Sequence, residues 1–255
     1  MAGWKKFGVL VTGVILPRPE KSATPAAAGL AYTTHSIPVP DGTLEVWHIA
    51  ADSPRASVIL FHGRGGCKCA VLNEAAAFHQ LGYDTLLVDF RGGGASSGSD
   101  CTLGVREGED VAAALTFARE HWPNRRFVLY GQSMGSAAIL RAMAHQGAAP
   151  DGIILECPFD RLLTTVGHRF EVMGLPAFPL ARLLVFWGGV QQGFNAFAHN
   201  PVEDAAAVTC PGLVLNGAHD AWVHATEAEA VCAGLRGPRR FELFAEAGHQ
   251  PCLNA

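Results

Sequence analysis

Leu129-Tyr130-Gly131-Gln132-Ser133-Met134-Gly135-Ser136-Ala137-Ala138 decides how this chain folds. A short apolar stretch, Phe127–Tyr130, leads into it, and an alanine-rich stretch with helical character, Met134–Gln146, leads out. The link between them reads G-x-S-x-G. A strand that turns directly into a helix strains the serine backbone, and side chains at Gly131 or Gly135 would collide with the neighbouring strand and helix. In return the turn lifts a hydroxyl above the sheet edge, with a helix N-terminus beneath it to favour developing negative charge. Ser133 is therefore read as a nucleophile.

Outward from this turn, strand-like and helix-like stretches alternate. Strands are expected at Ser57–Phe61, Thr85–Phe90, Phe127–Tyr130, Gly152–Leu155, Gly212–Asn216 and Phe241–Phe244. Helices are expected at Ala70–Leu81, Glu107–His121, Met134–Gln146 and Ala225–Leu235. Ahead of them Ser36–Val39 and Leu44–Ile49 flank Asp41-Gly42, a hairpin signal. Two antiparallel strands followed by repeated strand–helix units predict the α/β class: a mostly parallel sheet with helices on both faces. Residues 1–30 read as an arm or tail and residues 31–255 as one domain. The rhythm breaks at about residues 158–201, where Pro176, Pro179, Gly188, Gly189 and Gly193 punctuate helical pieces rich in aromatics. Such an insertion reads as a small helical cap over a pocket. Phe186 and Trp187 are its candidate substrate contacts, although most cap aromatics are expected simply to bury the insertion.

A serine hydroxyl needs a base, and the base needs an orienting acid. His249 follows the last expected strand and Asp220 the strand before it, so both leave the carboxyl ends of strands, where ligands of open α/β sheets sit. The chain order Ser133, Asp220, His249 matches one of the known arrangements of such triads. Glu156 competes as the acid, and His219, His224 and His62 as the base. Glu156 more naturally anchors the start of the insertion, His219 and His224 precede the final strand, and His62 reads as a turn histidine. His62-Gly63-Arg64-Gly65-Gly66 follows the third strand. Its glycine-rich turn can aim a backbone N–H, that of Arg64, at a carbonyl oxygen, with the Met134 N–H as second donor.

Composition sets the remaining bounds. The chain has 255 residues, 49% hydrophobic and 16% charged, with a formal net charge of −4. That excludes bulk disorder, and 19 basic against 23 acidic residues without a basic block gives nucleic acid no footprint. No run of about 18 apolar residues occurs. The loop Asp89–Gly98 is glycine-rich, but its spacing does not fit a nucleotide fingerprint. Seven cysteines at irregular spacing read as free thiols, including Cys67 and Cys69, which lack a second pair to complete a metal site. Lys5 and Lys6 precede the apolar run Phe7–Leu16. A cytoplasmic enzyme with an apolar arm is the expectation, with a membrane-surface contact through residues 1–20 or a secretion signal as alternatives.

Together these pieces resemble the serine-dependent α/β-hydrolases, in the branch that holds esterases, monoacylglycerol lipases and serine aminopeptidases. The resemblance rests on H-G-R-G-G at His62–Gly66, D-F-R-G-G-G-A-S-S-G at Asp89–Gly98, G-Q-S-M-G at Gly131–Gly135, the G-A-H-D-A-W-V loop and A-G-H at Ala247–His249. It spans about residues 35–250. It implies the α/β-hydrolase fold, a Ser133–Asp220–His249 triad and oxyanion amides from Arg64 and Met134. Two features depart from the pattern: Gly93 stands where relatives often have histidine, and six residues follow His249 where relatives carry a full helix. The expected reaction is hydrolysis of small apolar acyl or aryl esters, needing no metal, nucleotide or redox cofactor. Lipase, thioesterase or aminopeptidase activity are the enzymatic alternatives, and a noncatalytic ligand-binding protein is the alternative outside enzymes.

Overall fold

The computed structural model describes residues 23–249 and 252–254, so the N-terminal apolar run and its three readings lie outside the described residues. Eight strands form one sheet: β1 (Thr33–Val39), β2 (Gly42–Ile49), β3 (Ser57–Phe61), β4 (Asp84–Val88), β5 (Phe127–Gln132), β6 (Gly152–Glu156), β7 (Gly212–Gly217) and β8 (Arg239–Phe244). Their order is β1-β2-β4-β3-β5-β6-β7-β8. β1 pairs antiparallel with β2, and β2 with β4; every other pairing is parallel. The helices are α1 (Leu72–Gln80), α2 (Glu107–His121), α3 (Met134–His145), α4 (Leu162–Val172), α5 (Ala177–Gln192), the single turn α6 (Pro201–Asp204) and α7 (Ala225–Gly234).

The two-residue period of β3 shows why the sheet is covered on both faces. Ile59 and Phe61 join one apolar cluster with Val111, Leu115, Ile139 and Val231 from α2, α3 and α7. Val58 and Leu60 join a second with Leu72 and Ala75 of α1. A strand buried on both sides must be apolar at every position, and Ser57–Phe61 is nearly so. A third cluster holds the insertion down: Leu162, Val166 and Phe170 of α4 and Ala181 and Val185 of α5 pack on Phe159, Ala137 and Val223. Phe178, Phe186 and Val190 of the same insertion stay exposed. Among the described residues no helix is long and apolar enough to cross a membrane.

The structure corrects the cysteine reading, because Cys67 and Cys69 form a disulfide. Between them Lys68 is pulled into the interior, where its ammonium meets Asp89 and Glu45 and lies 4.4 Å from the Trp47 ring centre. That inward fold of the chain leaves the flanking Cα atoms 5.2 Å apart, within bridging range. The expected helix at Ala70–Leu81 accordingly starts later, after a 3₁₀ turn over Lys68–Val71. The strand expected at Thr85–Phe90 is shifted toward its start, to Asp84–Val88, so Asp89 and Phe90 belong to the loop.

Candidate active site

The parallel register brings the functional loops to one edge. Phe61 lies opposite Gly131 and Gln132 opposite Glu156, so the loops after β3, β5 and β6 emerge side by side. Ser133 sits between β5 and α3 at φ 51° and ψ −107°, a conformation non-glycine residues rarely adopt. Its neighbours allow it. A Cβ on Gly131 would lie 2.5 Å from the Gly135 carbonyl carbon, and one on Gly135 would lie 2.5 Å from the Phe61 oxygen. The turn is braced as well: the Ser133 amide donates to the Glu156 carbonyl at 2.7 Å, and the Ser136 hydroxyl donates to Gly131 and Glu156 carbonyls at 2.6 and 3.0 Å.

Asp220 and His249 meet although 28 residues separate them in the chain. Oδ2 of Asp220 accepts from Nδ1 of His249 at 2.6 Å, while Oδ1 accepts the Trp222 and Val223 amides at 2.8 and 2.9 Å. Burial pushes the carboxyl pKa up, but the His249 hydrogen bond and the two amides outweigh it and hold Asp220 below the ordinary carboxylate value. The two loops are stitched together by His219 N–H to the Ala247 carbonyl and Ala218 N–H to the Phe244 carbonyl, both at 2.9 Å. Gly217 is required there, because a Cβ would run into the Ala247 and Gly248 carbonyl oxygens. Trp222 completes the loop with its ring centre 5.0 Å from that of His249.

The competing residues are occupied elsewhere. His62 is buried, and its Nε2 accepts the Phe90 amide at 3.3 Å while Nδ1 donates to the Gly63 carbonyl at 2.8 Å. Burial lowers its pKa, consistent with a neutral ring that fixes the turn. The Glu156 carboxylate takes the Tyr130 hydroxyl and the Cys252 amide. His219 is exposed, and His224 caps α7. The loop carrying Arg64 lies against the turn, with a Cβ on Gly63 reaching to 3.7 Å from the Ser133 Cβ. Among the described residues neither the Arg64 nor the Met134 amide donates a hydrogen bond, so both remain available to a ligand oxygen.

Beside the loops, under the insertion, lies a cavity of about 430 Å³. Leu162, Val166, Phe170, Val185, Trp187 and Trp222 give it apolar walls, and the Arg64 and Arg169 side chains also line it. Trp187 thus faces the cavity. Phe186 does not; it lines a separate depression with Val190 and Phe197. Adjacent residues on a helix point about 100° apart, and here Trp187 turns toward the cavity while Phe186 turns toward the depression.

Two residues near the site gave no signal in the sequence, and a third, Trp222, lay inside the G-A-H-D-A-W-V motif without a role assigned to it. Arg169 faces the cavity from a helix with no motif of its own, and Trp222 faces it from the Asp220 loop. Cys157 follows β6 at φ 48°, with Sγ, the Asp220 oxygen and the His249 nitrogen all within 4.8 Å of one another. A hydrogen bond with Cys252, then burial, push its thiol pKa upward, so Cys157 stays a neutral packing group beside the pair.

Comparison with known proteins bears on the family and the fold. A family model described as serine aminopeptidase, S33, matches residues 52–187, just over half of the chain. The uncharacterized protein YqkD of Bacillus subtilis is 25% identical over 209 residues, 80% of this chain and 68% of that protein. The lysophosphatidylserine lipase ABHD12 of Danio rerio is 26% identical over 185 residues, 68% of this chain and 46% of its own length. Among solved structures, the Pyrococcus furiosus esterase Pf2001 superposes with a TM-score of 0.75 at 22% identity, covering 92% of this chain and 90% of that one.

Proposed function

Since the chain belongs to the serine aminopeptidase (S33) family and has the α/β-hydrolase fold, we propose that it is a serine hydrolase cleaving carboxylic esters of small, largely apolar acyl or aryl substrates. In this reading His249 takes the Ser133 proton while Oγ attacks the ester carbonyl. The resulting oxyanion rests on the Arg64 and Met134 amides. His249, now cationic and held by Asp220, returns the proton to the alkoxide as the C–O bond breaks, leaving an acyl group on Ser133. Water then attacks that acyl group with His249 again as base, and the proton passes back to Oγ when the free acid leaves.

The observation that carries the ester reading is the cavity itself. Its walls are apolar, and the described residues lining it include no carboxylate. An aminopeptidase must hold a substrate ammonium, for which an acidic partner is the ordinary device. Two arginines there work against it. A lipase is the second reading, supported by the exposed apolar side chains of Phe178, Phe186 and Val190 on the insertion and by the named activity of the Danio rerio relative.

Hydrolysis of p-nitrophenyl esters from acetate to palmitate, with Ser133→Ala alongside, tests the proposal. Activity abolished in the variant is expected, and the chain-length optimum separates esterase from lipase. A folded protein that hydrolyses none of the series and takes no fluorophosphonate at Ser133 would overturn it.

A further inference from the structure

The cavity under the insertion is lined by two guanidinium groups, and among the described residues no carboxylate lines it beside them. Arg169 projects from α4, its guanidinium carbon 4.9 Å from the centre of the Trp222 ring. Its Nε is buried without a hydrogen-bond partner. Arg64 also lines the cavity, and among the described residues none gives it an ion pair or hydrogen bond. Several other arginines are paired: Arg91 is held by Asp110 and Glu109, Arg125 by Asp84 and Arg161 by Glu203.

A guanidinium withdrawn from water loses hydration that an aromatic face restores only in part. Burial first, then the neighbouring charge of Arg64, bring the Arg169 pKa down to about 10, which still leaves it cationic at neutral pH. The Asp220 charge offsets this only in part, and two cations facing one apolar space create a field that an anionic group entering the cavity would relieve. Guanidinium geometry suits the paired oxygens of a carboxylate or phosphate, and apolar walls strengthen the attraction.

We propose that Arg64 and Arg169 form an anion subsite of this cavity, so that the substrate is an amphiphile carrying a carboxylate or phosphate beside its apolar chain. The word substrate rests on the hydrolase reading above; the subsite itself does not. The same pair of charges repels an ammonium, which makes the cavity selective against free amino termini as well as for anions.

Calorimetric titration of the Ser133→Ala protein with octyl phosphate, octanoate and octanol tests this without turnover. At least one anion should bind about tenfold tighter than the alcohol, the scale of a charge-assisted contact. Arg169→Met in the same background should reduce that preference to within about twofold, and Arg64→Met should weaken it independently. Circular dichroism and a thermal melt check that each variant is folded. The relative affinities of octyl phosphate and octanoate then identify which anion the subsite takes. Octanol binding as tightly as both anions would overturn the subsite, as would a preference that persists in the double variant. Fluorophosphonate labelling of unsubstituted protein reports separately on the hydrolase reading. Labelled protein without charge preference removes the subsite alone, and unlabelled protein with charge preference removes the hydrolysis alone.

Discussion

Ser133 lies at the junction where a strand must become a helix within one residue, and two glycines make that possible. Gly135→Ala places a methyl group against the Phe61 carbonyl, a backbone atom that cannot swing aside. The expected cost is about 1–3 kcal/mol or more, read as a fall in the denaturation midpoint. This much was legible in the sequence, because a strained turn admits few residue types and so leaves a signature. Asp220→Asn is the second residue-scale case. The Trp222 and Val223 amides can still bond an amide oxygen, so geometry should persist while kcat/KM falls by about 10⁴-fold. Unchanged hydrolysis would remove Asp220 from the mechanism. Arg169 was not legible. A single arginine in an apolar helix looks like any half-exposed cation until the fold shows it lining a cavity with no carboxylate among the described lining residues.

At the scale of elements, the strand–helix alternation was readable because both faces of the central strands are buried and their composition is correspondingly uniform. Boundaries were less so. The chain folds inward at Lys68, a charged residue whose acidic partners Glu45 and Asp89 come from β2 and the loop after β4. That tertiary pairing delays the first helix and joins Cys67 to Cys69, and nothing in the local sequence signals it. The insertion shows the same limit, since helical periodicity does not reveal which neighbour of a pair faces inward. Trp187→Ala should lower kcat/KM for apolar esters several-fold by removing cavity wall. Phe186→Ala, on the other side of α5, should change it by less than twofold. Equal losses from both would mean that the two sides act together on substrate.

Across the whole molecule, buried acids make stability depend on pH in an unusual sense. Glu74 of α1 is buried, among the described residues no other residue hydrogen-bonds its carboxyl group, and desolvation raises its pKa to about 7. Desolvation likewise raises Asp110 to about 7 and Glu227 to about 8. A carboxyl whose pKa is higher folded than unfolded binds more protons in the native state. Its contribution is therefore unfavourable to folding as pH rises from about 4.5 through 7. Glu74→Gln should flatten that slope and stabilise the protein at pH 8 by about 2 kcal/mol, with little change near pH 4.5. Chemical denaturation at the two pH values checks this, and parallel curves for both proteins would exclude Glu74 as the source.

Glu156 ties together parts of the chain made far apart in time. Its carbonyl receives the Ser133 amide, its carboxylate takes the Tyr130 hydroxyl, and the same carboxylate holds the Cys252 amide. During synthesis the sheet from β1 to β7 can assemble while the ribosome still holds the segment bearing His249. Domains fold as their residues emerge, and contacts of long sequence separation close last. On the hydrolase reading the nascent protein carries a shaped but inert serine, and reactivity arrives once the segment bearing His249 has emerged. Stalled chains ending before Phe244 should resist fluorophosphonate, whereas chains in which residues through Cys252 have emerged should take it up at once.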